Sequence, residues 1–215
     1  MSRVRVSKDG ETVRTLPGRS WTLPVAWRQA AVFGAVWGAV EITVGTFLHV
    51  TRIPLAGVVL SAAGVALLTA GSMLMPKPFF ALRTALVCAA LRALSPEGLM
   101  FGPMAAILWQ GLLVSIAMLL LRQPLVAGMT AGFLASISTQ FQAFFVRLIS
   151  FGADLWELYV RLLEKAEGFF NLEPGQGWIA VIGYLLIVGS VGLAGGAFGW
   201  RVGRIAQKYR EAPHA

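Results

Sequence analysis

The sequence predicts an all-α membrane protein: a compact bundle of six transmembrane helices with one external amphipathic helix. Three observations carry that expectation. Of 215 residues, 57% are hydrophobic and only 13% are charged, against roughly a quarter charged in an ordinary soluble domain. The mean hydropathy is +0.72. The apolar residues also fall in long blocks, and a spanning helix needs about 20 such residues in succession. A water-soluble globule of this size has no interior large enough for them, so lipid is the expected solvent.

Residues 1–28 form a polar cytoplasmic segment. Within it VRVSKDGETVRTL alternates around a Lys-Asp-Gly turn and reads as a small hairpin, which is marginal alone in water. Trp21 and Trp27 beside Arg19 and Arg28 read as an interfacial anchor. No cleavable signal peptide is recognisable, and the first apolar block is expected to act as an uncleaved insertion signal.

The transmembrane domain is expected over 29–200, with spans near 29–50, 54–75, 79–94, 100–121, 125–149 and 178–200. The third is short, and Arg83 and Arg92 near its ends can snorkel to the two interfaces. A re-entrant third segment would leave five spans. The breaks are TRIP at 51–54, MPKP at 75–78, SPEG at 95–98 and RQP at 122–124. Connections this short predict that sequential helices are antiparallel neighbours.

The loop over 150–177 is the exception. Asp154 reads as an N-cap with Glu157 three residues on, and Leu155, Leu158, Leu162 and Ala166 recur at helical spacing. Glu157, Arg161 and Lys165 line a charged side. Such a helix lies on the membrane interface or folds over the bundle mouth as a lid. Residues 201–215 are expected to be a basic cytoplasmic tail.

The net charge of +8 is a topology signal rather than a nucleic-acid footprint, because the bases gather at the two ends of the chain. With six spans, one side receives Arg3, Arg5, Lys8, Arg14, Arg19, Arg28, Lys77, Arg83, Arg122, Arg201, Arg204, Lys208 and Arg210, thirteen in all. The other side receives five: Arg52, Arg92, Arg147, Arg161 and Lys165. The bias predicts both termini in the cytoplasm and a multi-pass protein of the plasma (inner) membrane.

No enzyme motif is recognisable. The two histidines are His214, in the tail, and His49, alone at a helix end, so neither a histidine metal cluster nor a cofactor site is expected. Cys88 is single and sits in an apolar block. Polar groups within the spans are the better pointers, since a charge at the bilayer centre costs on the order of 2.5–3.5 kcal/mol. Glu41 is the acid well inside a span, and Glu41, Gly45 and His49 follow at four-residue intervals toward Arg52. Gln110 adjoins Trp109 near the midplane, and Ser136, Gln140 and Arg147 share one face of the fifth span while Thr139 and Gln142 share another.

With Arg92 and Trp156, these groups are expected to converge on one external mouth, as a pocket for an organic solute with polar edges. Hydrogen bonds between helices explain each glutamine equally well taken singly. Small residues give a second signal. Ala31, Ala35 and Ala39 repeat every four residues beside Gly34 and Gly38, and Gly195, Gly199 and Gly203 repeat in the last span. Such faces admit another helix closely, from within the chain or from a partner.

The plan resembles the substrate-binding S component of energy-coupling factor (ECF) transporters. The resemblance rests on six helices in a chain of this length, cytoplasmic termini, the run AVFGAVWGA in the first helix and a polar external connection before the last. It implies that Ala31, Ala35 and Ala39 dock a transmembrane coupling subunit, and that ATPase subunits supply the energy. It further implies that Gln140, Gln142, Arg147 and Trp156 contact a vitamin-type solute. The histidine-bearing N-terminal motif of the nickel and cobalt branch has no counterpart here. In a corrinoid-binding branch a cysteine ligates cobalt, and Cys88 is the residue of that type in this chain. A structural or assembly subunit of a larger membrane complex is the other class the sequence fits.

Overall fold

Seven helices account for nearly all of the ordered secondary structure in the computed structural model, which describes residues 5–6, 12–13, 24–51, 56–94, 101–170 and 173–211. A two-residue antiparallel ladder, β1 (Arg5–Val6) with β2 (Thr12–Val13), pairs Arg5 with Val13 and Val6 with Thr12. The alternating segment thus pairs about the predicted turn, whose own residues lie outside the described set.

The first helix, α1 (Val25–Val50), starts behind Pro24, whose carbonyl accepts the amides of Trp27 and Arg28. Proline suits such a boundary because it has no amide to lose. After α2 (Ala56–Leu74) a tight turn leads into α3 (Phe80–Ala93), with Phe79 at φ 56° between Pro78 and the helix. Two more helices follow, α4 (Phe101–Leu120) and α5 (Pro124–Phe151), the latter with proline in its first turn. Gly152, at φ 62°, turns the chain into the amphipathic α6 (Ala153–Phe170). That helix begins one residue ahead of the predicted cap, Asp154, whose side chain lies outside the described residues.

Glu167 holds the next connection, its carboxylate accepting the amides of Gly175 at 2.9 Å and Gly177 at 2.8 Å. The chain then enters α7 (Trp178–Glu211). The expected tail is a correction. Residues 201–211 continue α7, and Gln207 Nε2 and Arg210 Nη1 donate to the Met73 and Leu74 carbonyls at 2.8 and 3.2 Å. They cap the C-terminal end of α2, whose last carbonyls have no partner within their own helix.

Among the described residues, four helical stretches are long and apolar enough to cross a membrane: Val25–Leu48, Ala56–Leu74, Gly102–Leu120 and Trp178–Glu211. Large apolar side chains such as Val32, Phe47, Leu120, Ile187 and Phe198 stand on the outside. These are the features of a helical membrane protein, in which lipid covers the apolar perimeter. The fourteen-residue α3 and the hydroxyl- and amide-bearing α5 pack among the others as continuous helices.

Helix α2 touches each of the other five long helices and forms the hub. Sequential helices are neighbours as expected, from α1 with α2 to α4 with α5, but the most extensive contacts join α5 to α7, α2 to α7 and α1 to α3. Glycine decides this. A Cβ at Gly132 or Gly196 would collide with the backbone of Gly192 or Gly128 respectively, so α5 and α7 meet backbone to backbone. Gly195 and Gly199 meet the backbone of Ala62 and Ala66 of α2 in the same way, and Gly203 lies against the Met73 side chain and Ala70. In lipid, where apolar side chains gain little by leaving their surroundings, such close approach is what drives helices together.

Candidate functional site

The expected single mouth resolves into three separate polar positions. The first is buried between α1, α2 and α4. Gln110, only 4% exposed, donates from Nε2 to Ser61 Oγ at 2.7 Å. Gly64 makes room here, since a Cβ on it would lie 2.8 Å from Trp37 Cζ2 and 2.9 Å from Gln110 Oε1. Trp37, itself buried, donates from Nε1 to Glu41 Oε1 at 3.1 Å, one turn along α1. Glu41 therefore has an indole partner, and with Arg92 it lies within electrostatic range of the Cys88 sulfur. Gln110 Oε1 has no hydrogen-bond partner among the described residues. The arrangement is tight around Gly64, where a Cβ would collide with both the Trp37 ring and the Gln110 amide.

The second position is between α5 and α7, where Tyr184 OH donates to Gln140 Oε1 at 2.9 Å. The third is between α4 and α5, where Gln142 Nε2 donates to the Gly102 carbonyl at 3.2 Å and Trp109 Nε1 to Ser138 Oγ at 2.9 Å. Two residues apart on one helix, Gln140 and Gln142 point to opposite sides, about 200° apart at 100° per residue. The structure therefore does not bring Gln110, Gln140 and Gln142 together. Each is engaged in its own interhelical bond, which is the competing explanation for amides inside spans.

Space opens at the third position. A cleft of about 340 Å³, lined by Ala105, Trp109, Ser138 and Gln142, lies open between α4 and α5. That is the lower end of the usual range for small-molecule sites. Its walls combine an aromatic face, a hydroxyl and an amide. Among the described residues the Gln142 carbonyl oxygen accepts no hydrogen bond, so it is a free acceptor at the cleft.

Ala105 and Ser138 were not singled out by sequence reading. Their signal is spacing: Ala105 and Trp109 are four apart on α4, and Ser138 and Gln142 are four apart on α5, so each pair shares a helix face.

Of the remaining predicted positions, Arg52 and the side chains of His49, Arg147 and Trp156 lie outside the described residues. Arg92 is in the last turn of α3. The alanine run divides from its glycines. Gly34 and Gly38 are buried against Val87 and Leu91 of α3, whereas Ala35 and Ala39 are exposed and Ala31 is half-buried. No three histidine, cysteine, aspartate or glutamate side chains among the described residues are grouped to hold a metal ion.

Compared with known proteins, the chain matches no family model, no curated protein and no solved structure.

Proposed function

We propose that all six long helices cross the bilayer with both termini cytoplasmic, and that the protein captures a small organic solute of vitamin type from the external side. In this reading it is the membrane-embedded binding subunit of an uptake transporter in the plasma (inner) membrane. A coupling subunit and ATPases supply the energy. It is a binder rather than a catalyst.

The helix directions support the six spans. Gly34 meets Val87 and Gly38 meets Leu91, so α1 and α3 run parallel. The pairing of Gly195, Gly199 and Gly203 with Ala62, Ala66 and Ala70 makes α2 and α7 parallel, and the Gly128–Gly196 and Gly132–Gly192 contacts make α5 antiparallel to α7. Six helices that alternate in direction through one slab leave both ends of the chain on one side.

The observation that carries the binding role is the α4–α5 cleft, where the Gln142 carbonyl oxygen accepts no hydrogen bond among the described residues. It opens near the start of α4 and the end of α5, which under this topology is the external half. The exposed Ala35 and Ala39 suit the docking of a coupling subunit. Native mass spectrometry of the purified full chain should reveal a retained solute. Gln142→Ala should weaken its binding about tenfold, the value of one hydrogen bond of roughly 1.4 kcal/mol. A chain that retains no solute and binds no vitamin at micromolar concentration would overturn the reading.

A structural or assembly subunit of a larger membrane complex is the second reading. The engagement of Gln110 and Gln140 in interhelical bonds favours it. Under it, Gln142→Ala leaves every measured property of the complex unchanged.

A further inference from the structure

Helix α6 is unevenly covered. Tyr159, Leu163, Ala166 and Glu167 are half-buried and mark the side that rests on the bundle. The Tyr159 ring meets Phe144 of α5 edge-on, with 4.9 Å between centroids, and Leu163 lies against Gly177 just before α7. The Glu167 carboxylate holds the amides of Gly175 and Gly177 on the same side. Every other residue of the helix whose side chain is described is exposed.

Those exposed residues divide by chemistry. At 100° per residue, Leu158, Leu162 and Phe169 fall within about 40° of one another, on a stripe about 110° round the helix from the packed side. They are 51%, 51% and 82% exposed. Glu157, Arg161, Glu164 and Lys165 occupy the arc beyond, with Arg161 3.7 Å from Glu157. The apolar arc of α6 is therefore wider than the bundle covers, with one flank packed and the other bare. A lid would turn that whole arc onto the mouth it closes. A helix lying beside a bundle at a membrane surface has this three-way division, one side each for protein, lipid and water.

The surroundings say what meets the bare stripe. Gly177, on which Leu163 rests, leads directly into α7, whose first turns expose Trp178, Ile179 and Ile182. Helix α6 thus stands at the rim of the apolar perimeter, beside a tryptophan of the kind that favours the boundary between lipid and water. Three side chains are too few for a protein partner, since a stable interface engages about 20–30 residues a side.

We propose that α6 is an interfacial anchor, with Leu158, Leu162 and Phe169 set into the boundary between headgroups and acyl chains of the leaflet at its own end of the bundle, and that it does not close over the α4–α5 cleft as a lid. The inference rests on the chain being membrane-embedded. It holds whichever side of the membrane α6 faces and whatever the cleft binds.

The test uses the full chain in phosphatidylcholine vesicles, with one nitrobenzoxadiazole dye on Leu158→Cys, Leu162→Cys or Phe169→Cys, and on Glu157→Cys, Arg161→Cys or Glu164→Cys for comparison. All six positions are exposed, and the native Cys88 is buried away from the label. Interfacial helices sink their apolar face roughly 5–10 Å into the boundary. A phosphatidylcholine carrying a nitroxide high on its acyl chain should therefore quench the three stripe positions several-fold more than the three charged ones. Iodide on both sides of the membrane should give the reverse order. Equal quenching of the two sets by the nitroxide lipid would overturn the proposal, as would iodide reaching the stripe as freely as the charged face. Stripe dyes shielded from both quenchers, with energy transfer between labelled copies, would overturn it in favour of pairing with a second copy of the chain.

Discussion

The two halves of α5 solve the same problem in opposite ways. In the first half Gly128 lies against Gly196 of α7, and Gly132 and Ser136 lie against Gly192, with Thr69 and Val65 of α2 beside them. Backbones touch and no side chain longer than a few atoms intervenes. In the second half the partner across α7 is Tyr184, reached by the long amide of Gln140, and on the α4 side Gln142 and Trp109 reach out over an open cleft. The helix is continuous through both regimes. Small residues set in register exclude everything between two helices. Where that register stops, long polar groups bridge the gap, and on the α4 side a cleft opens.

Substituting leucine for a small residue in each half breaks the comparison most directly. Gly132→Leu would drive a side chain into the Gly192 backbone and should cost about 3 kcal/mol or more, since glycine backbone on both sides cannot move aside. Loss of the folded monomer in size-exclusion chromatography, or a much lower unfolding midpoint in detergent, checks this.

The same change one and a half turns further on should behave differently. Ser138→Leu faces the open cleft, so stability should shift by no more than about 1 kcal/mol even though the Trp109 bond is lost. Solute binding should fall at least tenfold because the cleft is filled. Equal destabilisation by the two leucines would show that the halves are not distinct.

The smallest effect is expected at Gln140→Leu. Removing the half-exposed bond to Tyr184 should cost roughly 0.6 kcal/mol, the average for a hydrogen bond between helices in a membrane, with solute binding unchanged. A loss of solute binding here, with the fold intact, would move the site from the α4 face of α5 to its α7 face.

The helices themselves were legible in the sequence. Apart from the C-terminal end of α7, each apolar block became a helix within a few residues of the expected bounds, and the period of Leu158 and Leu162 with the charged run Glu157 to Lys165 marked α6. The partner choices were not legible. The Gly195, Gly199, Gly203 run stands out by spacing, yet nothing in one chain says that its counterpart is Ala62, Ala66 and Ala70 rather than any other small-residue face.

The glutamines show the same limit. An amide inside a span announces a polar requirement, but whether it bonds a neighbouring helix or faces a cavity depends on the rotation of its helix. Gln140 and Gln142 came to opposite sides for that reason alone. The extent of α7 was missed for another. Its last eleven residues are charged, and charge reads as an exit from the membrane without distinguishing a tail from a helix that simply continues.

One consequence of the α2–α5–α7 seam concerns how the protein is made. The two faces that α7 covers belong to helices inserted long before it, and α7 is the last of the seven in chain order. Until residues 178–203 leave the ribosome, the alanine face of α2 and the glycine face of α5 stand uncovered. The final helix is thus the keystone of the bundle, and a nascent chain halted before it leaves the small-residue faces of α2 and α5 without the helix that they fit.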